Sequence, residues 1–243
     1  MRLSRFYVDS PLTVGQAITL SQELSHYLVT VLRLKTGVIV TLFNGQGGEY
    51  QAQLVAITPK KIAQLQIEAY HAIERESNLS LTLVQAISRP EHMDYTIQKA
   101  VELGVQQIVP VITARTPPLN SAMLSKRQAH WYQIMLSACE QCGRNRLVQF
   151  TAIVPLTTWL TQEQAGSCFV LSPHASNTLF KLIQSASSIT VLVGAEGGLS
   201  EREVHQAIQA GYQEIHLGPR ILRTETAATA ILALCQAWLG DLR

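Results

Sequence analysis

The sequence predicts an α/β protein in two parts: a small β-barrel domain over residues 1–74 and a larger domain over residues 75–243, built on a mostly parallel sheet. Three observations lead to this prediction. Hydrophobic residues make up 47% of the chain and charged residues 15%, which fits a packed core and excludes a disordered chain. Strand-like runs dominate the first third, whereas strands and helices alternate afterwards. The polar stretch HAIERESN, at 71–78, separates the strand-rich part from the part in which strands and helices alternate.

The first third contains short strands and one helix. Candidate strands are RFYV and ITL, and the helix is SQELSHYLVTVLRL, whose apolar residues recur at helical spacing behind Ser21 as N-cap. Three further strands are GVIVTLFNG, GEYQAQLVAI and KIAQLQIEAY. The Asn44-Gly45 and Gly47-Gly48 pairs predict a hairpin between the first two of these. Together these elements predict a small barrel or sandwich.

From Leu79 onward, strands alternate with helices, which predicts a parallel sheet with helices on both faces. The predicted strands are LSLTLVQAI, QQIVPVIT, LVQFTAIV, SCFVLS, SITVLVG and YQEIHLG. The predicted helices are EHMDYTIQKAVELG, which Gly104 ends, then LSKRQAHWYQIMLSACEQC, Leu156–Gln164, Asn177–Gln184, Glu201–Ala210 and a last helix from Thr224.

Several classes of protein are disfavoured by the sequence. Apolar runs fall short of the roughly 20 residues that span a bilayer, and MRLSRFYVDSPL lacks the apolar stretch of a secretory signal. Cys139 and Cys142 form C-x-x-C, but no second ligand pair at zinc spacing accompanies them. We therefore predict a cytoplasmic protein with reduced thiols, no metal and no membrane contact. The net charge of +2 is too small to indicate a nucleic-acid partner by itself.

Three loops follow predicted strands, at the edge where open α/β sheets bind ligands. They begin at Ser172, within VGAEGGLSEREV, and within LGPRILRTETA. In the second loop, Glu196 stands inside a glycine turn, where a carboxylate repels phosphate but suits a sulfonium or ammonium group. Ser200 and Glu203 predict a capping box for the next helix. In the third loop, Thr224 is a candidate cap with Glu225 in the first turn.

Two arginines of the third loop need a separate explanation. Arg220 and Arg223 precede a helix, where cations oppose the macrodipole. They therefore indicate an anionic partner, which is a nucleic-acid phosphate, a carboxylate such as Glu225 or Glu196, or an oxygen that gains charge during a reaction. Structural pairing is the alternative for both arginines.

Taken together, VGAEGGLSEREV and LGPRILRTETA resemble the SPOUT class of S-adenosylmethionine-dependent RNA methyltransferases, and in particular the bacterial family that methylates N3 of a uridine in 16S ribosomal RNA of the small subunit. Other stretches similar to that family are RFYVDSPL, HYLVTVLRLKTG, FNGQGGEY, KAVELGVQQIVPVITART and ACEQCGRN. One departure is Ala195, where the family commonly has proline. The resemblance implies a deep trefoil knot in the C-terminal domain, an N-terminal PUA-like β-barrel that binds RNA, and a homodimer whose sites borrow residues from the partner.

The resemblance also implies the residues of the site. It places contacts to S-adenosylmethionine at Leu171, Ser172, Gly194, Glu196, Gly197, Gly198, Leu217, Gly218, Ile221, Leu222 and Arg223. Backbone groups of Leu217 and Leu222 would hold adenine, with Ile221 packing on it. The expected catalytic residues are Arg223, which would stabilise charge on the uracil oxygens, and Glu225, which (or else Glu196) would position Arg223 or relay the proton.

RNA contacts are expected from cations and polar loop residues. In the first domain the candidates are Arg2, Arg5, Arg33 and Lys35. In the second they are Arg89, Arg144 and Asn145, with Arg115 and Arg146 in similar loops. The histidines, His92 among them, show no metal-binding spacing.

Two alternatives to a uridine-N3 methyltransferase stay open. One is a ribose 2′-O methyltransferase of the same fold that acts on tRNA or rRNA. The other is a non-catalytic RNA-binding protein of ribosome assembly, against which the retention of Glu196, Arg223 and Glu225 argues. A nicotinamide enzyme is a more distant possibility, because the dinucleotide glycine pattern is missing from the sequence.

Overall fold

The computed structural model describes residues 4–182 and 185–242, which form two compact units. The first unit comprises the described residues up to Glu76 together with Cys139–Leu147. The second comprises Ser77–Ala138 and the described residues from Val148 onward. Because Cys139–Leu147 belongs to the first unit, the chain leaves this unit and later returns to it. The domain boundary at residue 74 stays a prediction.

The first unit is a five-stranded sheet with one interrupted helix. Its elements are β1 (Arg5–Tyr7), β2 (Ala17–Thr19), α1 (Gln22–His26), a π-helix (Tyr27–Val31), β3 (Ile39–Phe43), β4 (Glu49–Ile57) and β5 (Ala63–His71). The strand order is β1-β3-β4-β5-β2, with β1 parallel to β3 and the other pairs antiparallel. Alternate residues of these strands, such as Leu42, Leu54 and Leu65, meet in a buried core. The predicted strands and the hairpin between β3 and β4 are confirmed.

The predicted first helix is regular for only part of its length. Ser21 caps α1 as expected, its hydroxyl oxygen accepting a hydrogen bond from the Leu24 N–H at 3.2 Å. After His26 the helix widens into the π-helix, a form with one more residue per turn than an α-helix. The wider turn buries Leu28 completely and leaves Tyr27 exposed.

The second unit alternates strands and helices around a parallel sheet. Its elements are β6 (Ser80–Ala86), α2 (Pro90–Glu102), β7 (Gln107–Ile112), α3 (Ser121–Cys142, whose last turn belongs to the first unit), β8 (Gln149–Phe150), β9 (Val154–Pro155), α4 (Leu156–Trp159), β10 (Ser167–Leu171), α5 (Leu179–Leu182), β11 (Ser188–Val193), α6 (Glu201–Gln209), β12 (Gln213–Ile215) and α7 (Thr224–Leu239). The strand order is β12-β10-β11-β6-β7-β8, and β9 also pairs with β7. These pairs are all parallel, so the predicted mixed α/β class is confirmed. The trefoil knot stays a prediction.

Two segments of the second unit differ from the prediction. The single expected strand LVQFTAIV is divided into β8 and β9, which pair with the beginning and the end of β7. Pro155, the last residue of β9, has no N–H to continue the ladder, and α4 starts at the next residue. The helix expected over Leu156–Gln164 is a single turn, which ends at Trp159. The helix expected over Asn177–Gln184 begins at Leu179, and its last two predicted residues lie outside the described ranges.

Two further helix ends follow the sequence prediction, and one departs from it. The capping box of α6 is confirmed, since Ser200 and Glu203 exchange side-chain to backbone hydrogen bonds. Gly104 follows the C-cap of α2 with φ of +76°, as a terminating glycine should. The prediction that Thr224 caps α7 is wrong: the N-cap is Arg223, and the Thr224 hydroxyl instead donates to the Gly194 carbonyl at 2.6 Å. This tertiary bond ties α7 to the loop after β11.

No helix within the described ranges combines the length and the apolar character needed to cross a membrane.

Candidate functional site

A cavity of about 280 Å³ lies at the carboxyl ends of three neighbouring parallel strands, β10, β11 and β12. Its lining comes from the loops that follow these strands and from the first turn of α7. The lining residues are Leu171, Ser172, Pro173, Val193, Gly194, Ala195, Glu196, Gly197, Gly198, Ile215, His216, Leu217, Gly218, Arg220, Ile221, Leu222, Thr224 and Ala227. This edge is where open α/β sheets bind their ligands, as the sequence predicted.

The loop after β11 folds closely on itself. The Gly198 N–H donates to the Ala195 carbonyl at 2.8 Å, so the turn is retained with alanine at position 195. A Cβ atom added at Gly194 would lie 2.8 Å from the Gly198 carbonyl carbon, a clash that only glycine avoids. Because this side of the turn lacks side chains, its backbone polar groups border the cavity directly.

The loops after β10 and β12 are joined beside the same cavity. The Ser172 N–H donates to the Ile215 carbonyl at 3.0 Å. Gly218 has φ of +92°, a left-handed conformation that suits glycine and turns the chain back towards α7. Ile221, which follows this turn, is 86% exposed although it is a large apolar residue. An apolar side chain at the edge of a cavity offers a surface on which a planar ring can pack.

The structure brings ten of the eleven predicted donor-binding residues together in this lining: Leu171, Ser172, Gly194, Glu196, Gly197, Gly198, Leu217, Gly218, Ile221 and Leu222. It does not bring Arg223 there. Arg223 is exposed and has an extended backbone, with φ of −64° and ψ of 156°. Both neighbours of Arg223, Leu222 and Thr224, line the cavity. The arginine that lines the cavity is Arg220.

The carboxylate of Glu196 is held in place by two groups at the start of α2. Its Oε1 atom accepts a hydrogen bond from the Arg89 N–H at 2.8 Å and lies 2.9 Å from Nδ1 of His92. Glu225, in the first turn of α7, approaches the same Nδ1 atom with its Oε2 at 3.7 Å. The segments that follow β6 and β11 and the first turn of α7 therefore come together at the imidazole ring of His92.

Glu196 is ionised at neutral pH. Partial burial by itself raises the pKa of this carboxyl group, but hydrogen bonds to the charged form from the Arg89 and Glu196 backbone N–H groups and from His92, with the charge of a protonated His92, lower the pKa below its usual value. The cavity therefore has a fixed negative charge on its lining, next to exposed backbone groups and an apolar surface. Such a lining suits a ligand that carries a positive charge and a flat ring.

The sequence did not identify His92 as a member of this site. It lies in the first turn of α2, directly after β6, whose carboxyl end faces the same edge of the sheet as β11. This position was the feature of the sequence that could have identified His92. Its acidic partners, however, lie more than 100 residues away along the chain. Among the described residues, no group of three or more His, Cys, Asp or Glu side chains could hold a metal ion.

Three of the predicted RNA contacts are structural ties within the first unit. The Arg5 guanidinium pairs with Glu49 and donates to Asn145 Oδ1 at 2.7 Å, and its side chain is 7% exposed. Arg144, whose side chain is 4% exposed, pairs with Glu76. The Asn145 amide group donates to a backbone carbonyl at 2.6 Å. These side chains are buried because they link the segment that returns to the first unit to its sheet. We therefore assign them a structural role in place of RNA contact.

The other predicted RNA contacts remain available to solvent. Arg33 and Lys35 are exposed in the first unit, and Arg33 has a left-handed backbone with φ of +55°. In the second unit Arg89 is exposed, and its backbone contacts Glu196. Arg115 lies over the glycine loop, close to the position where a Cβ of Gly197 would be. Arg2 lies outside the described residues.

Comparisons with known proteins give a consistent result. Residues 75–236 match a family model for an RNA methyltransferase domain, and residues 20–68 match one for an RNA methyltransferase PUA domain. Ribosomal RNA small subunit methyltransferase E of Buchnera aphidicola subsp. Schizaphis graminum is 35% identical over 243 residues, which cover 99% of this chain and 98% of that protein.

Two solved structures are similar to the whole chain. The ribosomal RNA small subunit methyltransferase E of Neisseria gonorrhoeae, bound to S-adenosylmethionine, matches with a TM-score of 0.92 and 37% identity. A Legionella pneumophila protein, in complex with bound cofactor S-adenosylmethionine, matches with a TM-score of 0.96 and 34% identity. Each match covers 100% of both chains.

Proposed function

Because the chain belongs to the family of ribosomal RNA small subunit methyltransferase E, with a PUA domain before its RNA methyltransferase domain, we propose that it methylates N3 of a uridine in 16S ribosomal RNA. It is an enzyme that uses S-adenosylmethionine to methylate ribosomal RNA. The observation that carries the proposal is the ionised Glu196 on the lining of a glycine-rich cavity at the carboxyl ends of the strands.

The lining fits the methyl donor. When bound, S-adenosylmethionine supplies a methyl group on a positively charged sulfur. Glu196 offers the opposite charge at the cavity, and its hydrogen bonds to Arg89 and His92 keep it oriented before any ligand arrives. We assign the backbone groups of Leu217 and Leu222 to the adenine edge and the exposed side chain of Ile221 to its face.

The chemistry requires a proton acceptor and an anion stabiliser. N3 of uracil is a weakly acidic imide nitrogen between two carbonyl groups. As it loses its proton, its lone pair bonds to the methyl carbon, and the carbon–sulfur bond breaks to leave a neutral thioether. We assign proton acceptance to Glu225, whose Oε2 is buried with no hydrogen-bond partner among the described residues. An oxygen that accepts no hydrogen bond from a described residue keeps its lone pairs for a substrate N–H.

A guanidinium stabilises the negative charge that spreads over the uracil oxygens during proton loss. Arg223 remains our proposal for this role, because it is exposed and directly precedes the helix turn that contains Glu225. Arg223 is not among the residues that line the donor cavity, so its contact with the donor rests on the family resemblance alone. Arg220 lines the cavity and is the alternative. Separate substitution of the two arginines distinguishes these assignments.

Three further properties belong to the same proposal. A homodimer is supported by the family resemblance and by the Phe180–Trp238 pair, two half-exposed aromatic rings 5.2 Å apart that a second subunit could cover. A cytoplasmic location follows from a ribosomal RNA substrate. The trefoil knot is supported by the resemblance to the SPOUT class. Sedimentation velocity tests the dimer.

The test of the function compares ribosomal RNA nucleosides from cells with and without the gene. Loss of 3-methyluridine from 16S ribosomal RNA, with its return on complementation, is the expected result. A lost ribose methyl group would instead favour a 2′-O methyltransferase. An unchanged nucleoside profile together with defective subunit assembly would favour a non-catalytic assembly protein.

A further inference from the structure

Two carboxylates from different elements converge on one atom of His92. Nδ1 lies 2.9 Å from Glu196 Oε1 and 3.7 Å from Glu225 Oε2. The side chains of His92 and Glu225 are only 20% and 15% exposed, so water screens this cluster incompletely. The carboxylates stand near each other because the imidazole lies between them.

The chemistry of the carboxylate partner shows which nitrogen of the His92 ring carries a hydrogen. An ionised carboxylate can only accept hydrogen bonds, so Nδ1 must carry the hydrogen that faces Glu196. A neutral ring then donates a hydrogen bond to Glu196 and leaves the negative charge of Glu225 without an opposite charge. A protonated ring places one positive charge beside both carboxylates and partly offsets each. Glu196 also accepts a hydrogen bond from the Arg89 N–H, whereas Glu225 Oε2 accepts none from any described residue.

The two carboxylates dominate the surroundings of the ring. On α2, Glu91 is exposed, and Asp94 pairs with His130 on α3. In the loop after β11 the facing acid is Glu196, and on α7 it is Glu225. Within the described part of the chain, no cation forms an ion pair with either of these carboxylates except His92. The charge of this one ring therefore decides whether Glu225 is compensated.

We propose that His92 is a positioning residue for methyl transfer: its imidazolium is the counter-ion that holds the Glu225 carboxylate in place as proton acceptor, while Glu196 stays fixed towards the donor. This rests on the proposed function, in which the cavity holds the donor and Glu225 takes the proton. His92 therefore affects the rate of methyl transfer far more than donor binding, because Glu196 keeps its backbone hydrogen bond whatever the state of the ring.

The experiment compares three full-length proteins, the wild type, His92→Lys and His92→Gln, in single-turnover methyl transfer with saturating donor between about pH 6 and about pH 9. Lysine carries a positive charge throughout this range and glutamine carries none, so the two variants separate the charge of the side chain from its presence. The expected rate for His92→Gln is about tenfold below that of the wild type at about pH 6. The rate of His92→Lys should stay within about threefold of that of the wild type at each pH, and this ratio removes the ionisation of uridine that all three proteins share.

Controls separate this inference from its premise. His130→Gln removes another histidine that pairs with an acid, outside the site, and should leave the rate unchanged. Donor affinity by calorimetry should stay within about twofold in both His92 variants. A wild type without activity would overturn the proposed function. An active wild type whose rate His92→Gln leaves unchanged, or a His92→Lys protein as slow as His92→Gln, would overturn the role of His92. Donor affinity lost in step with the rate would also overturn it.

Discussion

Substitution of Glu196 by glutamine tests the electrostatic basis of donor binding. Glutamine keeps the size of the side chain and an oxygen that can accept from the Arg89 N–H, but it removes the negative charge. The expected result is weaker binding of S-adenosylmethionine, because its sulfonium group loses a nearby opposite charge. Binding of S-adenosylhomocysteine, which lacks the sulfonium charge, should change little.

The magnitude follows from the exposure of the carboxylate. Two opposite unit charges about 4 Å apart attract by about 4 kcal/mol at an effective dielectric constant of about 20, and by about 1 kcal/mol in bulk water. The Glu196 side chain is 34% exposed, which places it between these limits. A loss of about 2 kcal/mol corresponds to binding roughly thirtyfold weaker.

Isothermal titration calorimetry with both ligands measures this difference. Glu201→Gln is a matched control, since Glu201 is an exposed carboxylate in the first turn of α6 and lies outside the cavity lining. Equal weakening of both ligands would mean that Glu196 shapes the loop and does not act through its charge. Unchanged binding of S-adenosylmethionine would refute the electrostatic reasoning.

Three other substitutions give further tests. Arg223→Ala should lower the single-turnover rate by about a hundredfold while donor affinity stays within about twofold; a larger effect on affinity, or a full rate with Arg220→Ala inactive, would transfer the role to Arg220. Thr224→Val removes the hydroxyl that donates to Gly194 and accepts from Gln85 Nε2 at 3.0 Å, so urea denaturation should show a loss of about 1–3 kcal/mol, and no loss would contradict the tie. Burial raises the pKa of Glu140, although a hydrogen bond from the Tyr7 N–H and the charge of Arg5 oppose the rise. A carboxyl group whose folded-state pKa is raised contributes most stability below its unfolded pKa and loses it as pH rises through the folded pKa. Glu140→Gln should therefore stabilise the protein at neutral pH and not at acid pH, and a gain that is equal at both values would contradict this cause.

The chain order of the fold could be predicted because its signals are local. Runs of β-branched residues, the hairpin glycines and the box formed by Ser200 and Glu203 act within a few residues. They formed as expected, except that the run LVQFTAIV is divided into β8 and β9. The glycine-rich loops could also be located, since parallel strands bring their carboxyl ends to one edge of the sheet.

Side-chain roles that depend on distant partners could not be predicted in the same way. Thr224 had the right chemistry for a cap, but the Gly194 carbonyl, 30 residues earlier, competes for its hydroxyl. Arg5 and Arg144 are charged side chains, and only the fold shows that they are buried and form ion pairs with Glu49 and Glu76. Arg220 and Arg223 precede the same helix, and only the fold shows that Arg220, and not Arg223, is among the lining residues.

The most direct measurement of the central claim uses purified protein, a donor with a deuterated methyl group, and small ribosomal subunits from a strain that lacks the gene. The account predicts that a single uridine base of 16S ribosomal RNA gains the labelled methyl group at N3, and that this labelling slows when Glu196 is replaced by glutamine at a limiting donor concentration. Label on a ribose, or undiminished labelling by the Glu196 variant under those conditions, would contradict it.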